Sequence, residues 1–191
     1  MSHFFAYLAR MKLIKRWGLM QNTHEENIQE HSLQVAVIAH ALAVIRKKLY
    51  SGNVNPERIV TLALYHDVSE VITGDLATPI KYFNPEIKQA YQAIEKVAKK
   101  RLLAMLPPEL YEEYIQYFFV DQQSPEYKIV KAADKIAAYI KCLEEIRMGN
   151  KEFLEAKRSL AQEIQKFNLP EVEYFMEKFI PSFNLTLDEL S

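Results

Sequence analysis

Apolar residues recur at every third or fourth position along most of the chain, and short polar stretches with proline, glycine or asparagine interrupt them. Phe4, Phe5, Leu8, Met11 and Leu13 form a one-sided stripe that predicts a first helix. The polar connection GLMQNTHEENIQE leads into HSLQVAVIAHALAVIRKKL, where Val35, Ile38 and Leu42 follow His31 by four, seven and eleven positions along one helical face. YSGNVNP breaks the chain, with Asn55 as N-cap and Pro56 at the first position of a helix reaching about Val71. TGDLATPIKYFNP reads as a loop around Gly74 and Pro79. A long helix runs from about Pro85 to Leu106, and Pro107 and Pro108 end it and start a shorter aromatic one. Ser124 and Pro125 open a helix that reaches about Met148 and stops at GN. Further helices cover Lys151–Phe167 and the stretch from Pro170 to Pro181, followed by a tail. No alternating strand pattern, repeat or long linker interrupts this order, so the expectation is one all-α domain over residues 1–191, a bundle of about seven to nine helices.

Composition narrows the function classes. Hydrophobic residues make up 49% of the 191 and glycine only 4, which allows a buried helical core and disfavours a turn-rich sandwich. A net charge of −1 gives no general electrostatic grip on a nucleic acid polymer or an anionic membrane. The single cysteine, Cys142, excludes an internal disulfide and a cysteine-rich zinc site, and makes a reducing, cytoplasmic setting the default. Arg10 and Lys12 interrupt the first apolar stretch, against a signal peptide, and no apolar run approaches the roughly 20 residues of a membrane span.

Titratable residues sit where a helix should carry leucine. At about 100° per residue, Glu70 lies about 40° from His66 and about 60° from Asp67, so all three share one side of their helix. Ile59, Leu62 and Ala63 start that side as core. His31 heads the apolar stripe of its own helix, whereas His40 points about 180° away and is left out of any site, as are His3 and His24. Asp134 is ringed by Ala132, Ala133, Ala137 and Ala138, small residues that let another helix approach; alone, it reads better as a surface acid paired with Lys131 or Lys135. Together, His31, His66, Asp67 and Asp134 suit one divalent metal such as Mn²⁺, Co²⁺, Fe²⁺ or Zn²⁺. A buried hydrogen-bonded network of the same residues is the alternative that spacing leaves open.

His31, the adjacent His66-Asp67 and the distant Asp134 resemble the H…HD…D signature of the HD-domain phosphohydrolases. RWGLM, EHSLQVAVIAHAL, YHDVSEVITGDLATPIKYF, KAADKIAAYIKCLEE and YFMEKFIPSFNLTLDEL extend the resemblance over nearly the whole chain, to the bacterial HD-domain 5'-deoxynucleotidases. Those enzymes release phosphate from deoxyribonucleoside 5'-monophosphates. The resemblance implies an all-α homodimer with His31, His66, Asp67 and Asp134 as metal ligands, and catalysis by Glu70 with Asp67. It places Arg16 on the substrate phosphate and Trp17 and Asp75 at the sugar, with Thr78 and Lys81 in the same segment. Ala77 stands where the family has proline, which loosens the loop after Asp75. Other HD chemistries, a dNTP triphosphohydrolase or a cyclic-nucleotide phosphodiesterase, are disfavoured by the lack of a basic cluster and by HDVSE in place of HDxGK. A helical module that only binds metal or nucleotide would have no need of Glu70 beside a filled ligand set.

Overall fold

The computed structural model describes residues 1–81 and 83–191; Tyr82, inside the stretch read as a loop, lies outside them. Among the described residues there is no strand, and helices carry the fold as the sequence pattern predicts. They are α1 (Phe4–Leu8), α2 (Ile28–Leu49), α3 (Pro56–Leu64), α4 (Glu70–Thr73), α5 (Thr78–Lys81), α6 (Pro85–Leu103), α7 (Pro108–Phe118), α8 (Pro125–Arg147), α9 (Leu154–Gln165) and α10 (Pro170–Lys178). The count exceeds the expected seven to nine because α4 and α5 are single turns. The helix expected to reach Val71 stops at Leu64, and α5 lies inside the expected loop. In α5, Ile80 and Lys81 both donate their N–H to the Ala77 carbonyl, and Pro79 presets a helical φ in its first turn.

Local sequence explains most boundaries. Asn55 Oδ1 accepts from the Arg58 N–H at 3.0 Å, Asn84 Oδ1 from Ile87 at 2.7 Å and Ser124 Oγ from Tyr127 at 3.1 Å. Each cap precedes a proline at the first helical position, where no N–H is needed, and contributes about 1 kcal/mol. Gly149, at φ 87°, ends α8 in the left-handed conformation. After α1 the chain tightens into a 3-10 turn over Ala9–Leu13. With three residues per turn, the expected stripe does not continue: Phe4 and Met11 are buried, while Phe5 and Leu13 are each 57% exposed. By length and composition α2 is apolar enough to cross a membrane, more than the sequence reading allowed, yet half of that window is buried within the fold. Val35, Ile38, Ala39 and Leu42 form its buried face, the pattern of a core helix.

The backbone gathers into two compact units, one of residues 1–21, 25–33 and 64–120, the other of residues 22–24, 34–63 and 121–191. The first unit is built around Phe4, Met11, Ile28, Val68, Leu102, Leu103, Leu106 and Phe118. Aromatic rings tie its elements together: Phe4 meets Tyr114 edge-on at 5.3 Å, and Tyr65 stacks on Tyr117 at 6.2 Å. In the second unit α8 packs on α9, with Ala132, Ala133, Ala137 and Ala138 all buried, as their small size predicts. Two buried acids there are paired. Glu171 accepts from Arg46 at 2.7 Å, and Glu145 accepts from Lys141, from the Thr23 N–H and hydroxyl, and from Asn150.

Candidate active site

The site in the first unit is built from two irregular stretches. The chain around residues 14–17 runs antiparallel to residues 26–28: the Arg16 N–H donates to the Glu26 carbonyl at 2.9 Å, and the Ile28 N–H to the Ile14 carbonyl at 3.0 Å. Asn27 then caps α2, its Oδ1 accepting from Gln29 and Glu30, while Glu30 reaches back to the Asn27 N–H at 3.3 Å. This reciprocal cap fixes where α2 starts. It puts His31 in the first turn, fully buried. Trp17 sits at φ 61°, a conformation that a bulky side chain adopts at a cost of about 1–3 kcal/mol.

The second stretch is the break between α3 and α4. Residues Tyr65–Ser69 form consecutive turns, with Val68 N–H on the Tyr65 carbonyl at 3.3 Å and Glu70 N–H on the Asp67 carbonyl at 2.9 Å. The helical-face arithmetic that grouped His66, Asp67 and Glu70 therefore rests on a helix that is not continuous there. The three still converge, because fully buried Val68 and the Tyr65 ring anchor the turns in the aromatic core. Ligand atoms of His31, His66 and Asp67 all lie within 4.8 Å of one another. His66 Nε2 is 3.0 Å and His31 Nε2 is 3.8 Å from the same Asp67 oxygen, Oδ2.

Around them the other predicted residues fall into place unevenly. The Arg16 Nη1 donates to Asp67 Oδ2 at 3.4 Å. Glu70 is 5% exposed, and its Oε2 has no hydrogen-bond partner among the described residues. Burial, with the charges of Asp67 and Asp75, pushes the Glu70 carboxyl up to about 9, against the opposing charges of Arg16 and Lys81. Burial also raises Asp75, although Arg16, Lys81 and the Trp17 backbone N–H, which donates to it, pull the other way. Gly74, at φ 74° and ψ 165°, makes the turn into Asp75. Its carbonyl is held by the Thr73 hydroxyl at 3.0 Å and the Tyr91 hydroxyl at 3.1 Å. Lys81 is tied to Glu95 at 2.9 Å and lies over the Tyr91 ring at 4.7 Å, so only its charge reaches Glu70 and Asp75. Thr78 is exposed on α5. Asp134 lies in the second unit on α8, where Lys131 Nζ approaches its Oδ2 at 2.8 Å, the pairing that the sequence also allowed. His40 is exposed, consistent with its exclusion.

One residue was missed. Glu26 Oε2 accepts from Arg16 Nε at 3.1 Å and from Trp17 Nε1 at 2.8 Å, while Oε1 faces His31 Nδ1 at 3.6 Å. Burial disfavours its charge, but His31, Arg16 and Trp17 outweigh that and hold its carboxyl down at about 2. The only sequence signal was the capping pattern of Asn27 and Glu30, which sets Glu26 just before the cap and at the base of the helix that carries His31.

Two imidazoles and a carboxylate with converging donor atoms fit a divalent transition metal. The acidic surroundings fit it as well: without a cation, buried Glu70 holds its proton far above the usual carboxylate range.

The sequence profile described as "5'-deoxynucleotidase YfbR-like" matches residues 3–183. The chain belongs to the YfbR-like family. A family relative, the 5'-deoxynucleotidase of Vibrio cholerae, is 56% identical over 191 residues, covering 100% of this chain and 98% of its own. An HD-domain phosphohydrolase of Listeria innocua is similar in fold to this chain, with a TM-score of 0.83 at 24% identity, over 95% of this chain and 88% of that one. The HD phosphohydrolase of cyanophage S-2L, solved with dA and one catalytic Zn²⁺ ion, has a TM-score of 0.67 at 21% identity, covering 93% and 96%. At those identities the two structures establish the HD-domain fold alone.

Proposed function

We propose that the chain is a divalent-metal-dependent 5'-deoxynucleotidase, hydrolysing deoxyribonucleoside 5'-monophosphates to deoxyribonucleosides and phosphate. The observation that carries it is the cluster of His31, His66 and Asp67 donor atoms within 4.8 Å, set beside the buried carboxyl of Glu70. Family membership and the name of the Vibrio cholerae relative support the substrate class.

In this reading His31, His66 and Asp67 hold the metal, with Asp134 as fourth ligand on the strength of the sequence resemblance. The donor set suits Co²⁺, Mn²⁺, Zn²⁺ or Fe²⁺. Such an ion supplies a more acidic water and offsets charge developing on the phosphate. Arg16 holds the phosphate with its planar fork, a geometry lysine lacks. Asp67, both a ligand and a neighbour of Arg16, ties the phosphate grip to the metal position. Glu70, buried and close enough to Asp67 to feel its charge, is placed to orient the attacking water or to move a proton at the leaving 5'-oxygen. The Trp17 ring walls the sugar and excludes a 2'-hydroxyl by contact, and Asp75 accepts from the 3'-hydroxyl. Lys81 contributes charge, and Thr78 the rim of the same segment. A homodimer, implied by the resemblance, a cytoplasmic setting, suggested by the lone cysteine, and a single HD-type domain over residues 1–191 complete the reading.

The test is phosphate release from dAMP, AMP and dATP by metal-stripped protein resupplied with Co²⁺, Mn²⁺, Zn²⁺ or Fe²⁺. Release from dAMP, with AMP far slower and dATP inert, is the expected result. No turnover of any monophosphate sinks the reading, and equal rates on dAMP and AMP remove the sugar selectivity.

A further inference from the structure

Glu26 takes no direct part in the chemistry described above, yet its carboxylate is heavily engaged. Its two oxygens face three different side chains: Arg16 Nε at 3.1 Å, Trp17 Nε1 at 2.8 Å and His31 Nδ1 at 3.6 Å. We propose that Glu26 is a positioning residue that sets the phosphate-binding arginine, the sugar-facing tryptophan and a metal-binding histidine in one register. The assignment rests on the nucleotidase reading for what those three side chains do, but not for how they are held.

Each contact has a physical consequence. A bond to Nε, rather than to a terminal nitrogen, fixes the plane of the guanidinium and so the direction in which its two Nη groups point. The bond to the indole N–H fixes the rotation of the Trp17 ring. Trp17 needs such a hold because its backbone is in the left-handed region, at φ 61°, where a bulky residue stays only if its surroundings over-determine it. A carboxylate on Nδ1 of His31 favours the tautomer with its proton there, which leaves the Nε2 lone pair toward His66 and Asp67. The Glu26 backbone adds a fourth contact through its carbonyl, which accepts from the Arg16 N–H at 2.9 Å. One residue therefore locks both the main chain and the tip of Arg16. The side chain is 14% exposed, so these contacts are shielded from competition by water. A residue that only stabilised the loop would bond the loop backbone; Glu26 sends its carboxylate to three functional side-chain ends.

Glu26→Gln tests this, since it keeps the shape and removes the charge. The metal-loaded variant should lose roughly 10- to 100-fold in kcat/KM on dAMP, the usual effect of removing a partner that orients a metal ligand. Its preference for dAMP over AMP should narrow, and Co²⁺ affinity measured by equilibrium dialysis should weaken about tenfold or more. Trp17 is the only tryptophan, so intrinsic emission reports on its ring alone, and it should shift in the metal-free variant. A variant whose dAMP preference, Co²⁺ affinity and Trp17 emission all match wild type, with only the melting temperature lowered, overturns the proposal in favour of a structural role. If Glu26→Gln does not fold, Glu26→Asp carries the test, because it keeps the charge and draws the carboxylate back from Arg16, Trp17 and His31. A narrowed dAMP preference in that variant supports the proposal, and an unchanged one refutes it. Wild-type protein that hydrolyses no monophosphate would sink the nucleotidase reading alone; the emission and Co²⁺ measurements would still decide the role of Glu26.

Discussion

Glu70 is the residue whose surroundings and sequence context disagree most. It opens the short helix α4, is 5% exposed, and has one carboxylate oxygen without a hydrogen-bond partner among the described residues. Glu70→Gln should lower kcat by about 10²- to 10⁴-fold. Metal content measured on the purified variant should stay at the wild-type level, since loss of metal would make Glu70 a ligand instead. The same residue gives a pH signature in metal-stripped protein. Its folded value of about 9 exceeds the ordinary 4.5, so between those values the folded chain keeps a proton that the unfolded chain has lost. The stabilising contribution is complete below 4.5 and is lost as pH rises toward 9. Melting curves of the wild type and Glu70→Gln should therefore diverge with rising pH, the variant gaining about 2–4 °C for each kcal/mol recovered. Glu26, held at about 2, has the opposite sign: its contribution is present above 4.5 and fades as pH falls toward 2. Sequence reasoning found Glu70 through a helical periodicity that the backbone does not follow, and missed Glu26 altogether. A charge in a polar connection looks the same in sequence whether it faces solvent or gathers three side chains.

At the scale of elements, the helices with prolines at their starts were legible, because capping is chemistry between near neighbours. Asn55, Asn84 and Ser124 cap α3, α6 and α8 by contacts within three residues. The break after Leu64 was not legible: no glycine or proline marks it, and the anchoring rings of Tyr117 and Phe118 come from about fifty residues away. Gly74 was legible as a turn but not as the joint that aims Asp75. Its φ of 74° with ψ of 165° lies in a region essentially confined to glycine, while an added Cβ would meet no atom of the described residues within 4 Å. Gly74→Ala should therefore cost backbone strain alone, about 1–3 kcal/mol, visible as a lower melting temperature. If the strain relaxes by moving Asp75, KM for dAMP should rise with little change in kcat. A variant with wild-type KM and melting temperature would show that the turn tolerates a side chain and leaves Asp75 in place.

Across the whole molecule, the all-α class followed from periodicity, but the division into two units did not, because contacts distant in sequence create it. The second unit holds a buried pair, Lys141 and Glu145, and Glu145 also accepts from Thr23 and Asn150, which keeps its carboxyl well below the usual range. Lys141→Met should leave Glu145 buried without its cation and cost about 3–5 kcal/mol in urea unfolding. Removing both charges together should cost less, and a double variant as unstable as the single one would show that the charge on Glu145 is not what matters. Thr23 and Glu145 are 122 positions apart, and Arg46 and Glu171 are 125 apart. The chain enters the second unit at residue 22, leaves it, returns for residues 34–63, leaves again, and comes back only at residue 121. A ribosome adding about 5–20 residues per second makes Thr23 wait on the order of ten seconds for Glu145. During that wait the apolar side of α2 has been translated and much of the unit that buries it has not. The burden of the interleaved order thus falls on the newborn polypeptide, whose uncovered apolar surface is open to aggregation in a way the finished protein's is not.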